Sequence, residues 1–312
     1  MMNLALSGIG KWGKNYLKSS NELTSSRISY ICSQHQETLD IFPSTYVKIQ
    51  GIKKISTIGN IDGFIVATPS ETHFNISRFL ILNGFNVLIE KPLTTNLKDA
   101  VKLYKMWQKY KPIVLVGHLF IYNPAYEKLK HIVQDMGNIK TIYFKATDSP
   151  IRSDTSVLWD WGPHPISICL DLIKQPVVSV SAKTTLNQFI SPFPHTAQII
   201  IHFKNGTKAN IKISWLGARK KRRLVVNSLS GKIVLDDTKH NKKLSVYRTN
   251  STKAQFPTYD KTSPLTNQLN AFIKAVDSKI QPISDISLGV EVVRVISSVE
   301  QSALNNGQKI ML

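Results

Sequence analysis

The tightest constraint on this chain is the hexapeptide Gly8-Ile9-Gly10-Lys11-Trp12-Gly13, set directly after the apolar run Leu4-Ala5-Leu6. A G-x-G-x-x-G between a strand and a helix needs each glycine for its own reason. Gly8 permits the tight turn, Gly10 lets backbone N–H groups approach a pyrophosphate, and Gly13 allows close helix–strand packing. Lys11 and Trp12 stand in the first turn of the helix that would face such an anion. More strand-length runs follow: residues 28–32, Phe64-Ile65-Val66-Ala67, Val87-Leu88-Ile89 and residues 113–116. They are short, β-branched and nearly continuous, as strands buried on both faces must be. Residues 71–83 predict a helix entered through Pro69-Ser70, with Ser70 as N-cap and Gly84 as the residue that closes it. Strands alternating with helices imply an α/β architecture with a doubly wound parallel sheet, and the glycines imply a dinucleotide on it.

A carboxylate about 20 residues beyond the glycines would hold a ribose 2′-hydroxyl. Here the second strand ends Ile31-Cys32-Ser33-Gln34-His35, with no acid. Ser33 leaves room for a 2′-phosphate that His35 or Lys11 could pair with. The expected cofactor is therefore NAD or NADP, leaning to NADP.

The chain has 312 residues, which suggests about two domains. A hydrophobic fraction of 42% excludes a disordered chain. No run of about 18 apolar residues exists to span a bilayer. The first ten residues lack the basic stretch of a signal peptide. Cys32 and Cys169 offer neither a disulfide framework nor metal-ligand spacing, so a reducing cytoplasm is the expected compartment and no metal is expected. The formal net charge of +20 is spread along the chain: 14 basic and 7 acidic residues up to position 112, then 26 and 13. Such a field favours nucleic acid, an anionic surface or a phosphorylated small molecule.

Further motifs sharpen this. Ala67-Thr68-Pro69-Ser70-Glu71-Thr72-His73 follows the third strand, Glu90-Lys91-Pro92-Leu93 the fourth, and Leu158-Trp159-Asp160-Trp161-Gly162-Pro163-His164 comes later. With the glycines these resemble the Gfo/Idh/MocA family, the glucose-fructose oxidoreductase and inositol dehydrogenase group, whose hallmarks are E-K-P and D-x-G-x-H. The resemblance continues through Gly117-His118, Tyr122-Asn123-Pro124-Ala125-Tyr126, Ser214-Trp215-Leu216, Asp236-Asp237 and residues 281–299. It implies a Rossmann domain over 1–117 and, over 118–312, a substrate-binding and oligomerisation α/β domain on an open, largely antiparallel sheet. The residues agree: strand-like runs cover 139–147, 177–186, 197–204 and 208–215, with Asn205-Gly206 as a hairpin turn. Two amphipathic stripes close the chain, Leu265, Leu269, Phe272, Ile273 and Val276, then Leu288, Val292, Ile296, Val299 and Ala303; both read as core packing.

The resemblance also implies an NAD(P)-dependent dehydrogenase acting on an alcohol. His164 is then the general-base candidate, because imidazole takes and returns a proton near neutral pH. Lys91 would stabilise an alkoxide and, in the family, also approaches the nicotinamide ribose. Asp160, four residues before His164, could orient the imidazole. Thr68, Pro69, His73 and Glu90 match positions that border the cofactor. Two departures stand out: Pro165 replaces an acidic residue common after the motif histidine, and Leu119-Phe120-Ile121 lacks the Asn and Arg some members use.

The D-x-G-x-H run, Ser214-Trp215-Leu216 and Arg219-Lys220-Lys221-Arg222-Arg223 resemble the branch associated with nucleotide sugars and surface polysaccharides. That implies a ring hydroxyl of a nucleotide-activated sugar as substrate, or else a free sugar or inositol. Two other classes compete with this one. A cofactor-binding regulator without turnover would not need Lys91, Asp160 and His164, and nucleic-acid binding through residues 219–223 competes with a plain solvated loop. The expected partners are a phosphorylated sugar and further copies of the chain, with no nucleic acid and no membrane.

Overall fold

The computed structural model describes residues 1–57 and 59–312. Strands and helices alternate first: β1 (Met2–Ser7), α1 (Lys11–Ser20), β2 (Ser26–Ser33), α2 (Gln36–Asp40), β3 (Val47–Gln50), β4 (Gly63–Val66), α3 (His73–Leu82), β5 (Val87–Glu90), α4 (Leu97–Tyr110) and β6 (Val114–Gly117). Then come α5 (Pro124–Gln134), β7 (Ile139–Thr147), α6 (Val157–Trp161), α7 (Pro163–Ile173), β8 (Val177–Thr185), β9 (Thr196–Phe203), β10 (Lys208–Ser214), β11 (Lys221–Ser228), β12 (Gly231–Asp236) and β13 (Leu244–Arg248). The chain closes with α8 (Pro264–Ser278), α9 (Ile286–Leu304) and β14 (Ile310–Met311). Two compact units result: Met1–Leu119 with Thr262–Val293, and Phe120–Lys261 with Arg294–Leu312.

In the first unit the described residues form a six-stranded parallel sheet, ordered β3-β2-β1-β4-β5-β6. Every residue of β4, β5 and β6 is buried, which is why these segments read as unbroken apolar runs. The strand order reverses between β1 and β4, so a crevice opens there at the carboxyl ends of the strands. The helix expected over 71–83 forms with a 3-10 first turn at Ser70–Thr72, so α3 begins at His73; Gly84 closes it with φ +75°.

The expected domain 118–312 did not allow for a return of the chain to the first unit. α8 lies there: the Phe272 ring comes so close to Gly63 that a Cβ on that glycine would stand 2.8 Å from it. Gln268 Nε2 donates to the Tyr16 hydroxyl at 2.8 Å, and Thr266 Oγ1 to Glu22 Oε2 at 2.7 Å. Phe272 is fully buried, so its removal costs about 3–5 kcal/mol.

The second unit carries an eight-stranded sheet, ordered β13-β12-β11-β7-β10-β9-β8-β14. β7 and β10 run parallel and the other neighbours antiparallel. The Asn205-Gly206 hairpin joins β9 to β10, with Gly206 at φ +83° and the Phe203 N–H bonded to the Thr207 carbonyl at 3.0 Å. α5 and α7 are tied by the buried Asp171, which accepts from the Tyr126 hydroxyl at 2.7 Å and from Lys130 Nζ at 2.6 Å. The basic run 219–223 is not wholly a loop. Lys221, Arg222 and Arg223 enter β11, where successive side chains point to opposite faces. No described helix is long and apolar enough to cross a membrane.

Candidate functional site

The sharp turn at residue 8 follows from close packing. Gly8 has φ +91°, and a Cβ there would lie 2.5 Å from the Ala67 carbonyl. Gly10, at φ −72°, is different: a Cβ on it meets nothing within 4 Å among the described residues. α1 begins just beyond, with no side-chain cap on its N-terminus, no acid in its first turn, and Lys11 there instead. A cation and uncapped N–H groups at the positive end of a helix dipole are unfavourable alone, and suit a bound anion. The space beside Gly10 and these donors fit a pyrophosphate. Gly10→Ala is therefore expected to keep the melting temperature and lose about tenfold or more in NADH affinity, measured by fluorescence titration. An unchanged affinity would remove the dinucleotide from this loop.

Glu90 ends β5 and is 7% exposed. Its Oε1 accepts from Trp12 Nε1 at 2.6 Å and from the Tyr16 hydroxyl; its Oε2 accepts from the Lys91 N–H at 3.1 Å. Burial, then the charge of Glu90, holds the Tyr16 phenol protonated far above its ordinary range, so it remains a donor. Glu90, expected to border a cofactor, thus fastens α1 to the strand end that presents Lys91. Glu90→Ala leaves the buried Tyr16 hydroxyl and two part-buried N–H groups without their acceptor and should lower stability by about 2 kcal/mol in urea denaturation. No loss would mean that the carboxylate contributes nothing to this junction.

His73 is likewise a brace. Its Nδ1 lies 2.8 Å from the Pro92 carbonyl and its Nε2 3.0 Å from the Thr68 carbonyl, joining the loops after β4 and β5. Thr68 Oγ1 accepts from Thr72 Oγ1 at 2.7 Å, and Thr72 also donates to the Pro69 carbonyl. Ser33, at the end of β2, accepts the His35 N–H at 3.1 Å. Burial pushes the Cys32 and Cys169 thiols up to about 11 and about 12, which leaves neither suited to act as a nucleophile.

In the second unit Asp160 and His164 stand in consecutive helices, α6 and α7, joined at Gly162. A Cβ on Gly162 would lie 2.2 Å from the Leu158 carbonyl oxygen, which accounts for the glycine of D-x-G-x-H. Asp160 Oδ2 accepts from Trp215 Nε1 at 3.0 Å, and Oδ1 lies 3.8 Å from Arg152 Nη1. The His164 ring meets Phe120 and Trp161 edge-on, at centroid distances of 5.0 and 5.3 Å. Arg222 places its guanidinium 3.9 Å over the Trp161 ring and donates to the Thr147 carbonyl at 2.7 Å and Ser149 Oγ at 2.9 Å. Burial lowers its pKa, while Asp148, Asp237 and Asp160 oppose that shift. In the sequence Arg222 is one of five consecutive cations, and nothing in that run sets it apart from its neighbours. Lys91 and the pair Asp160 and His164 belong to different units.

Comparison with known proteins adds to this geometry. Residues 2–118 match the family model described as oxidoreductase family, NAD-binding Rossmann fold, and residues 141–234 match the GFO/IDH/MocA C-terminal domain; together these cover more than half of the chain. The chain is 27% identical over 167 residues to scyllo-inositol 2-dehydrogenase (NAD(+)) of Bacillus subtilis, covering 49% of this chain and 48% of that protein. It is 26% identical over 167 residues to UDP-N-acetylglucosamine 3-dehydrogenase of Acidithiobacillus ferrooxidans, covering 54% and 53%. The chain thus spans about half the length of the curated relatives it matches. Among solved structures, an oxidoreductase from Magnetospirillum magnetotacticum is similar with a TM-score of 0.84 at 29% identity, over 96% of this chain and 99% of that one.

Proposed function

The chain belongs to the Gfo/Idh/MocA oxidoreductase family, and from that premise we propose that it oxidises a ring hydroxyl of a sugar or cyclic polyol with NAD or NADP, or reduces the corresponding ketone. The observation that carries the reading is the uncapped, lysine-bearing start of α1 beside the open space at Gly10. The nicotinamide, when bound, accepts or returns the hydride. Everything else falls to the chain. The Lys91 ammonium offsets negative charge on the substrate oxygen as its proton leaves, and His164 takes that proton. Trp215 and Arg152 keep Asp160 oriented as a fixed negative group one helical turn from His164.

The finer substrate assignment is a nucleotide-activated sugar. It is supported by the Arg222 cation beside α6, which suits a phosphate, and by the relative that is named for acting on UDP-N-acetylglucosamine. The relative named for scyllo-inositol supports a neutral polyol instead. Purified protein with NAD+ or NADP+ should be screened on UDP- and dTDP-sugars against free sugars and inositols. Turnover confined to uncharged polyols would remove the nucleotide part.

For the cofactor, the Ser33 hydroxyl and the missing carboxylate favour NADP. Ser33→Asp should shift the ratio of kcat/KM values toward NAD by about tenfold or more, because a carboxylate accepts from the 2′-hydroxyl and repels a 2′-phosphate. An unchanged ratio would place cofactor choice elsewhere. The reading also includes self-association. One face of the eight-stranded sheet holds a groove of about 650 Å³, with Val225, Tyr143, Asn210 and Ile200 in one cross-strand row. A light-scattering mass of 35.1 kDa, that of one chain, would contradict it.

A further inference from the structure

The end of β6 presents a group that the chemistry above leaves unused. His118 follows Gly117 directly and is 1% exposed. Neither of its ring nitrogens has a hydrogen-bond partner among the described residues. Its backbone N–H is bonded to the Val116 carbonyl at 2.6 Å, so the strand end fixes the residue in place. β5 and β6 pair with Glu90 opposite Gly117, so Lys91 and His118 are the first residues beyond the ends of two neighbouring parallel strands. Burial and the adjacent Lys91 charge lower the imidazole to about 3, so the ring is neutral near pH 7.

A buried ring with two idle nitrogens has given up hydrogen bonds that water supplied in the unfolded chain. The other buried histidine of the same unit, His73, has a backbone carbonyl beside each ring nitrogen, at 2.8 and 3.0 Å, so whichever nitrogen carries the proton donates it. His118 instead stands at the carboxyl end of the sheet, next to Lys91, where sheets of this kind receive ligands. We propose that His118 is a ligand-binding residue of this site, its neutral imidazole donating one hydrogen bond to, and accepting another from, an uncharged hydroxyl or primary carboxamide of the bound molecule. The proposal rests on the dehydrogenase reading. A neutral imidazole carries one N–H and one lone pair, and a hydroxyl or a primary carboxamide also both donates and accepts. A phosphate offers acceptors alone, so it would take the one N–H of the neutral ring and leave the other nitrogen without a donor. A group that stays neutral down to about pH 3 does not take the alcohol proton, so His118 binds and orients. Its partner is either the substrate hydroxyl or the carboxamide of the cofactor.

Two variants separate these sources. His118→Phe keeps a ring and removes both nitrogens, whereas His118→Asn keeps a donor and an acceptor. NADH affinity is measured by fluorescence titration. KM and kcat are measured between about pH 6 and 9 on whichever of scyllo-inositol, UDP-N-acetylglucosamine and glucose the unaltered protein oxidises. If the cofactor supplies the partner, His118→Phe weakens NADH binding about tenfold; if the substrate does, NADH affinity holds and KM rises about tenfold. In both cases the loss is the same at each pH, His118→Asn recovers part of it, and ligand-free His118→Phe melts no lower than the unaltered protein. NADH binding and turnover of His118→Phe within about twofold of the unaltered protein would overturn the proposal and leave the dehydrogenase reading standing. An unaltered protein that binds neither NADH nor NADPH would remove both.

Discussion

Lys91→Ala is expected to lower kcat about 100- to 1,000-fold, the usual loss when one preorganised donor to a developing oxyanion is removed. Lys91 follows the buried Glu90 in a chain segment tied to α1, and its backbone is held by the Glu90 carboxylate at 3.1 Å. Its backbone is therefore fixed at the end of the strand. NADH affinity should change much less than kcat, because the uncapped N–H groups of α1 are untouched. His164→Ala should also lose about 100-fold or more in kcat. Steady-state kinetics and NADH titration on both variants check this. Equal, slow activity in the variants and the unaltered protein would identify a cofactor-binding regulator instead.

The second large effect is on stability in acid. His118 is held at about 3 in the folded protein, by burial first and by Lys91 second, against 6.5 when unfolded. A neutral ring in the folded state and a charged one in the unfolded state favour unfolding as protons are added. Stability from this source is complete above about pH 6.5 and falls by about 1.4 kcal/mol per pH unit below it, levelling near pH 3. At pH 5 the loss from this one ring is about 2 kcal/mol. His73, also lowered by burial, adds to the same trend. Urea midpoints at pH 7 and pH 5 should therefore differ markedly, and His118→Phe should shrink the difference. A midpoint independent of pH over that window would show that the ring is solvated.

The parallel sheet was legible because strands buried on both faces leave continuous β-branched runs, and β4, β5 and β6 are such runs. The glycine turn was legible because its spacing is local. What escaped was non-local or degenerate. The pairing of Trp12 and Tyr16 with Glu90 joins residues more than 70 positions apart, and no local pattern marks it. The stripe on α8 announced a buried face without saying against which sheet, so Phe272 beneath Gly63 came as new information. In Lys221-Arg222-Arg223 every position is cationic, so the alternation of a strand had no contrast to appear in. His118 was visible only as part of a motif; its two idle nitrogens require coordinates.

Hydride transfer by this chain is tested most directly by single-turnover reduction of NAD+ or NADP+ with the best substrate of the screen, in the unaltered protein, Lys91→Ala, His164→Ala and the double variant. Groups that serve one step are non-additive, so the expected result is a fast turnover in the unaltered protein and a double variant about as slow as the slower single one. Four proteins that reduce the cofactor at one common rate, or none of which reduces it on any sugar or cyclic polyol, would contradict the dehydrogenase assignment.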